Sequence, residues 1–206
     1  MRIKTEARRH TILNAAAAVF LEKGYASTTM SDIADRAGGS KTTVYGYFPS
    51  KEELFLETIK TLAETHFSSI FGQLSPGDDL RATLRKFGRS VLQATTSDSG
   101  LALYRLMIAG AADPVLGKQM FSQGPALADQ TVTAFLEDAV ASGQLRLCDP
   151  SVAADHLRCL LESEYIHKRL LGAEQAPSRR QIAVAVDRAI DVFLAAYGPS
   201  IPTIAS

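Results

Sequence analysis

The chain has 206 residues, 46% apolar and 21% charged, long enough to bury a core and too apolar to be a disordered chain. Lys plus Arg and Asp plus Glu each number 22, so the net charge is zero and the chain as a whole is no basic nucleic-acid coat. Two cysteines, Cys148 and Cys159, exclude a disulfide framework and a multi-cysteine zinc site, and no apolar run approaches the roughly 18–20 residues of a membrane span.

Helical spacing recurs nearly everywhere, and no stretch alternates as a strand, which predicts an all-α chain. Ile12, Ala16, Val19 and Phe20 share one face of a first helix that Gly24 stops. Arg2 to Arg9 followed by Ile12–Leu21 imitates a secretion signal. Glu6, the Glu22-Lys23 pair and the lack of a small-x-small site before Tyr25 argue against it. Met30 to Ala37 forms a short second helix, capped by Thr29 and lined by Ile33, Ala34 and Ala37. After Gly38-Gly39, Ser40 caps a third helix through Phe48, ended by Pro49. Ser50 and Glu53 make a capping box for a long fourth helix to about residue 73, carrying Leu54, Phe55, Ile59, Leu62, Phe67, Ile70 and Phe71. Ser75-Pro76-Gly77-Asp78 reads as a loop. Six further helices are expected at roughly 79–95, 99–110, 113–122, 125–142, 150–171 and 178–197, with a flexible tail over 199–206.

The informative stretch is 28–51. Two short helices across a glycine-containing turn have the geometry of a helix-turn-helix. The second is too short to stabilise itself, but Val44 and Phe48, four apart, can pin it to a core. Lys41, Thr42, Thr43, Tyr45 and Tyr47 then face elsewhere, a donor-rich set suited to base edges and phosphates in a major groove. Charge agrees. Residues 1–51 hold eight basic side chains (Arg2, Lys4, Arg8, Arg9, Lys23, Arg36, Lys41, Lys51) against four acidic ones (Glu6, Glu22, Asp32, Asp35), so the rest carries the compensating negative charge. A basic head suggests an anionic partner.

Ala7 to Thr65 resembles the DNA-binding domain of the TetR family of bacterial transcriptional regulators. The resemblance rests on I-L-N-A-A-A-A-V-F-L-E-K-G-Y-A-S-T-T-M-S-D-I-A-D-R-A-G followed by S-K-T-T-V-Y-G-Y-F-P-S-K-E-E-L, and covers under a third of the chain. The later pattern, with D-P-x-x-A-A opening a long helix, resembles the AefR-like subgroup. The resemblance implies a three-helix DNA-binding domain over 6–66, with its helix-turn-helix at about 29–48. It also implies a helical effector-binding and dimerisation domain over 67–198 and a repressor that an effector releases from operator DNA in the cytoplasm. Carried over by position, Lys41, Thr42 and Thr43 meet bases and Tyr45 meets a base or phosphate. Tyr47 and Lys51 clamp phosphates, Thr28 and Thr29 face phosphate, and Ser40 opens the reading helix. Two departures stand out. Gly39 replaces a usual apolar residue, so the turn loses a packing contact. Gly46 sits mid-helix, where glycine costs about 0.5–1 kcal/mol against alanine.

Among the later helices, Phe87, Tyr104, Met107, Phe135, Leu160 and Glu164 are the candidate lining of an apolar effector pocket, with Tyr104, Arg105, Glu164 and His167 as the alternatives for its few polar contacts. Ile182, Val186, Ile190 and Phe193 form a helical stripe that one chain could bury internally; the family resemblance implies instead that it is the dimer interface, with helices 150–171 and 178–197 meeting their symmetry mates. No metal and no cofactor is expected: His156 and His167 lie about three turns apart, too far to share an ion. No nucleophile elbow, P-loop or dinucleotide motif supports an enzyme. The alternative is a helical interaction protein whose basic head contacts a protein or membrane surface.

Overall fold

A computed structural model describes residues 5–75 and 79–199, and these are helical with no strand. The helices are α1 (Glu6–Ser27), α2 (Met30–Arg36), α3 (Lys41–Tyr47), α4 (Lys51–Phe71), α5 (Leu80–Thr96), α6 (Asp98–Gly110), α7 (Pro114–Gln123), α8 (Pro125–Ala141), α9 (Pro150–Glu162), α10 (Ile166–Leu170) and α11 (Arg179–Tyr197). Residues 76–78 of the expected loop and 200–206 of the expected tail lie outside the described residues, as do Arg2 and Lys4. No helix among the described residues is long and apolar enough to cross a membrane.

The helix starts follow local chemistry. Asp113-Pro114 and Asp149-Pro150 each place a capping carboxylate before a proline whose missing N–H needs no partner. Ser178 and Gln181 close a capping box on α11, and Asp79 caps α5. Gly24 breaks α1 with φ 76°, after which one more turn runs to Ser27. The single helix expected over 150–171 is instead two. The chain leaves helical order over Ser163–Tyr165, and α10 then buries Arg169. Its guanidinium donates to the carbonyls of Thr96 (3.2 Å) and Glu174 (3.0 Å) and to the Asp98 carboxylate (2.8 Å). A buried cation persists only with such acceptors, and they tie α10 to the end of α5.

The described residues form two compact units. The first comprises the residues up to His66 together with Ala102–Pro125; the second comprises Phe67–Leu101 and the residues from Ala126 onward. In the first, Ile12, Val19, Phe20, Ile33, Val44, Phe48, Leu54 and Phe55 make a closed core. The last turn of α6 joins it through Gly110: a Cβ there would sit 2.7 Å from the Phe55 ring. Phe55 in turn packs edge-on against Phe20, with centroids 4.9 Å apart, and lies 4.7 Å from Tyr25.

The second unit is built on α5, α9 and α11, with Leu84, Phe87, Leu92, Leu136, Leu157, Leu161 and the inner face of α11 in one cluster. This corrects the expected dimer interface. Ile182, Val186, Ile190 and Phe193 are at most 5% exposed and pack inside their own subunit. An amphipathic stripe demands an apolar neighbour, and α5 and α9 supply it within the chain. Gly88 of α5 lets these helices close up, since a Cβ there would stand 2.7 Å from Leu161 Cδ2 and 2.9 Å from Val186 Cγ1. Gly88→Ala is therefore expected to lower the unfolding free energy by about 1–3 kcal/mol despite its better helix propensity. Combined with Leu161→Ala in a denaturant-unfolding cycle, it should cost less than the sum of the two single changes.

Candidate nucleic-acid interface

Three short pieces of chain build the reading head. Thr29 and Asp32 form a reciprocal capping box at the start of α2. Lys23 donates to Asp32 at 2.7 Å and Thr29 adds its hydroxyl and amide, which hold the Asp32 carboxyl well below the usual carboxylate range. The α2–α3 turn passes through Gly38 at φ 65°, a conformation that favours glycine. Ser40 then caps α3, accepting from the Thr43 amide at 3.1 Å.

α3 is seven residues long and is held from outside. Val44 is 0% and Phe48 1% exposed, so the side facing the core is fixed. The Arg9 guanidinium lies 5.3 Å over the Phe48 ring and pairs with Glu57. The backbone N–H of Thr5 donates to the Tyr47 hydroxyl at 2.9 Å. The opposite side is left outward: Lys41, Thr42 and Tyr45 are exposed, with the Lys41 ammonium 5.8 Å over the Tyr45 ring. Thr43 is half-buried, and its hydroxyl meets that of Ser40 at 2.9 Å.

Two of the expected phosphate contacts are turned inward. Thr28 is 1% exposed and donates its hydroxyl to the Gly24 carbonyl at 2.7 Å, so it presents no side-chain donor to a partner. The Lys51 ammonium donates to the carbonyls of Tyr25 and Thr28, both at 3.1 Å, and stands 4.4 Å over the Tyr25 ring. These carbonyls flank the end of α1, where the Tyr25 carbonyl also accepts the Thr28 backbone N–H at 3.3 Å. Lys51 thus closes a helix end. Tyr25 donates to Glu52 at 2.9 Å, and burial together with that carboxylate holds its phenol well above the usual range. Thr29, Ser40, Lys41, Thr42, Thr43, Tyr45 and Tyr47 remain gathered around α2 and α3.

The structure adds residues that the sequence pattern passed over. Arg8 donates to the carbonyls of Ala37 (3.0 Å) and Gly38 (3.3 Å), completing the end of α2. This reverses the reading of Gly39 as a lost contact: a Cβ at 39 would lie 2.2 Å from Arg8 Nη2, so the bare position houses the guanidinium. The signal was a glycine pair facing an arginine 31 positions earlier, which no local rule connects.

The candidate effector residues divide between the units. Tyr104 and Met107 fall in the first, and Phe87, Phe135, Leu160 and Glu164 in the second. Phe87 and Phe135 are core residues, with Leu160 packed against that core. Glu164 accepts from Nε and Nη2 of Arg188, at 2.8 and 2.5 Å, and that pairing lowers its pKa. Among the described residues no cluster of three or more His, Cys, Asp or Glu is placed to hold a metal.

Residues 12–58 match the family described as bacterial regulatory proteins, tetR family, and residues 82–199 match the AefR-like transcriptional repressor C-terminal domain. The chain is 38% identical over 84 residues to the HTH-type transcriptional activator FasR of Mycolicibacterium smegmatis, a match spanning 41% of this chain and 38% of that protein. It is 34% identical over 99 residues to the transcriptional repressor KstR2 of Rhodococcus jostii, spanning 48% of each. The chain thus spans less than half the length of these curated relatives. Among solved structures, a TetR-family transcriptional regulator from Mesorhizobium loti superposes with a TM-score of 0.84 at 29% identity, covering 95% of this chain and all of that one. The flavonoid-responsive regulator FrrA gives 0.78 at 30%, covering 96% and 100%.

Lys51→Met, which keeps the aliphatic stem over Tyr25, should lower the unfolding free energy by about 1–2 kcal/mol by removing the ammonium donor from the Tyr25 and Thr28 carbonyls. It should also leave the salt dependence of DNA binding unaltered. Unchanged stability with a salt slope reduced by about one would instead place the ammonium on a phosphate.

Proposed function

The chain belongs to the TetR family of bacterial regulatory proteins, and we propose that it is a ligand-responsive repressor, released from a palindromic operator by a small, mostly apolar effector. The family consists of transcriptional regulators and not enzymes. One observation carries the DNA-binding reading: Lys41, Thr42 and Tyr45 stand exposed on a helix whose other side is locked into the core by Val44 and Phe48. Their short and basic donors suit base edges and phosphates. Repression is favoured over activation by the AefR-like description of the C-terminal match. The protein acts in the cytoplasm and takes no cofactor.

The effector is assigned to the second unit, with Phe87, Phe135 and Leu160 supplying its apolar surroundings. Glu164, occupied by Arg188, leaves the set. A flavonoid, the class to which FrrA responds, is an aromatic molecule with a few hydroxyls and fits the same description. α4 runs from the first unit into the second and α6 from the second into the first, where its end lies against Phe55 in the head's core. An effector that favours a displaced α6 would shift the head and weaken operator binding; equal affinity for both states would shift nothing.

The homodimer is assigned to the outer face of α9 and α11. Val152, Val184 and Val192 are exposed there, whereas the inner stripe is already used. Val192→Asp should yield a species of one chain's mass in light scattering, with helical content retained. A dimer that persists in this variant and in Val184→Asp would move the interface elsewhere.

The DNA reading is tested by gel shift, using duplexes flanking the chain's own gene with excess competitor over a salt series. A retained specific complex is expected, and Lys41→Ala should weaken it by about 1–3 kcal/mol, or 5–150-fold. A complex lost equally to any competitor would defeat the reading, since non-specific binding alone gives steep salt dependence.

A further inference from the structure

Gly46 is a glycine of the reading helix that neither packing nor backbone conformation accounts for. It is exposed, a Cβ built on it meets nothing within 4 Å, and its φ is not among the positive values of this chain. Any L-residue fits there, and alanine would make a short helix more stable. The glycines at 39, 88 and 110 each make way for a neighbour inside the molecule; this one makes way for nothing inside it. At about 100° per residue, Gly46 lies about 40° from Thr42 and 60° from Thr43, almost opposite buried Val44. It therefore occupies the middle of the outward face, one turn beyond Thr42.

Thr42 and Thr43 carry their hydroxyl and methyl directly on Cβ. Side chains that short reach a base edge only where the helix backbone itself comes close to the groove floor, and a side chain projecting between them would hold the helix away. We infer that Gly46 is a specificity-determining position: its bare backbone lets the operator major groove close onto α3, so that Thr42 and Thr43 read base edges, apolar contact with a thymine methyl included. This rests on the DNA-binding reading of the head and deepens it. The helix gives up intrinsic stability at 46 to gain proximity, as residues on a recognition surface often do.

The test uses a duplex enriched by the wild-type chain from a random double-stranded pool, with Gly46→Ala, Gly46→Leu, Thr42→Ala and the Gly46→Leu/Thr42→Ala pair. Melting temperature should rise by about 1–4 °C in Gly46→Ala, since helix propensity improves with no clash. Affinity for the enriched duplex should fall about 3–10-fold in Gly46→Ala and more than 30-fold in Gly46→Leu. Thr42→Ala should cost wild type at least fivefold but cost the Gly46→Leu protein less than twofold, because a helix held off the groove has no threonine contact left to lose. That coupling is a readout that a merely structural role would leave unmoved. Affinity in Gly46→Ala and Gly46→Leu within twofold of wild type, or an undiminished Thr42→Ala effect in Gly46→Leu, overturns the inference. If wild type enriches no sequence while remaining folded, the DNA-binding reading itself has failed, and this inference with it.

Discussion

A helix of seven residues makes about two turns and does not hold itself in water. Everything that fixes α3 must come from elsewhere in the head, and the supports can be traced one by one. Val44 and Phe48 anchor its inner side, Ser40 caps its start, and Tyr47 accepts from the first described backbone amide of the chain. Arg9 covers Phe48 and is itself fixed by Glu57 of α4. The start of α1 is therefore part of the mounting of the reading helix, although Thr5 and Tyr47 stand 42 positions apart in sequence. Because the mounting uses the inner side and the ends, the outward residues carry no duty in the fold. Their chemistry is left free for a partner to determine.

The helices could be read from sequence because their ends are written in local chemistry. Asp-Pro pairs, Ser40, and the Ser178–Gln181 box each satisfy a backbone group within three residues of themselves. The outward row of α3 could be read for a related reason: once Val44 and Phe48 are assigned inward, helical geometry leaves Lys41, Thr42 and Tyr45 outside. What could not be read depends on which distant group arrives. A 3.6-residue period identifies a face but not its neighbour, so the stripe from Ile182 to Phe193 served a dimer as well as it served α5 and α9. Thr28 and Lys51 looked like donors awaiting phosphate, because nothing nearby in sequence shows that carbonyls at the end of α1 take up their donors. The interruption over Ser163–Tyr165 carries no glycine or proline; its counterpart is tertiary, the ring of acceptors around Arg169.

The same distinction between local and arriving groups bears on how the head can be moved. Close-packed interiors do not deform smoothly, so a helix pair with no spare volume transmits displacement and does not absorb it. Gly110 is such a contact: the end of α6 lies so near Phe55 that even a methyl group would collide with the ring. Phe55 is held in turn between Phe20 and Tyr25, and the carbonyl of Tyr25 is one of the two that Lys51 binds at the start of α4. Shifting α6 along this line therefore acts on the junction of α1 and α4, next to Thr29, where α2 begins. The route ends at the mounting of the helix-turn-helix and leaves its outward residues untouched. A displacement along this line would change where the outward face of α3 stands without altering the residues of the face itself.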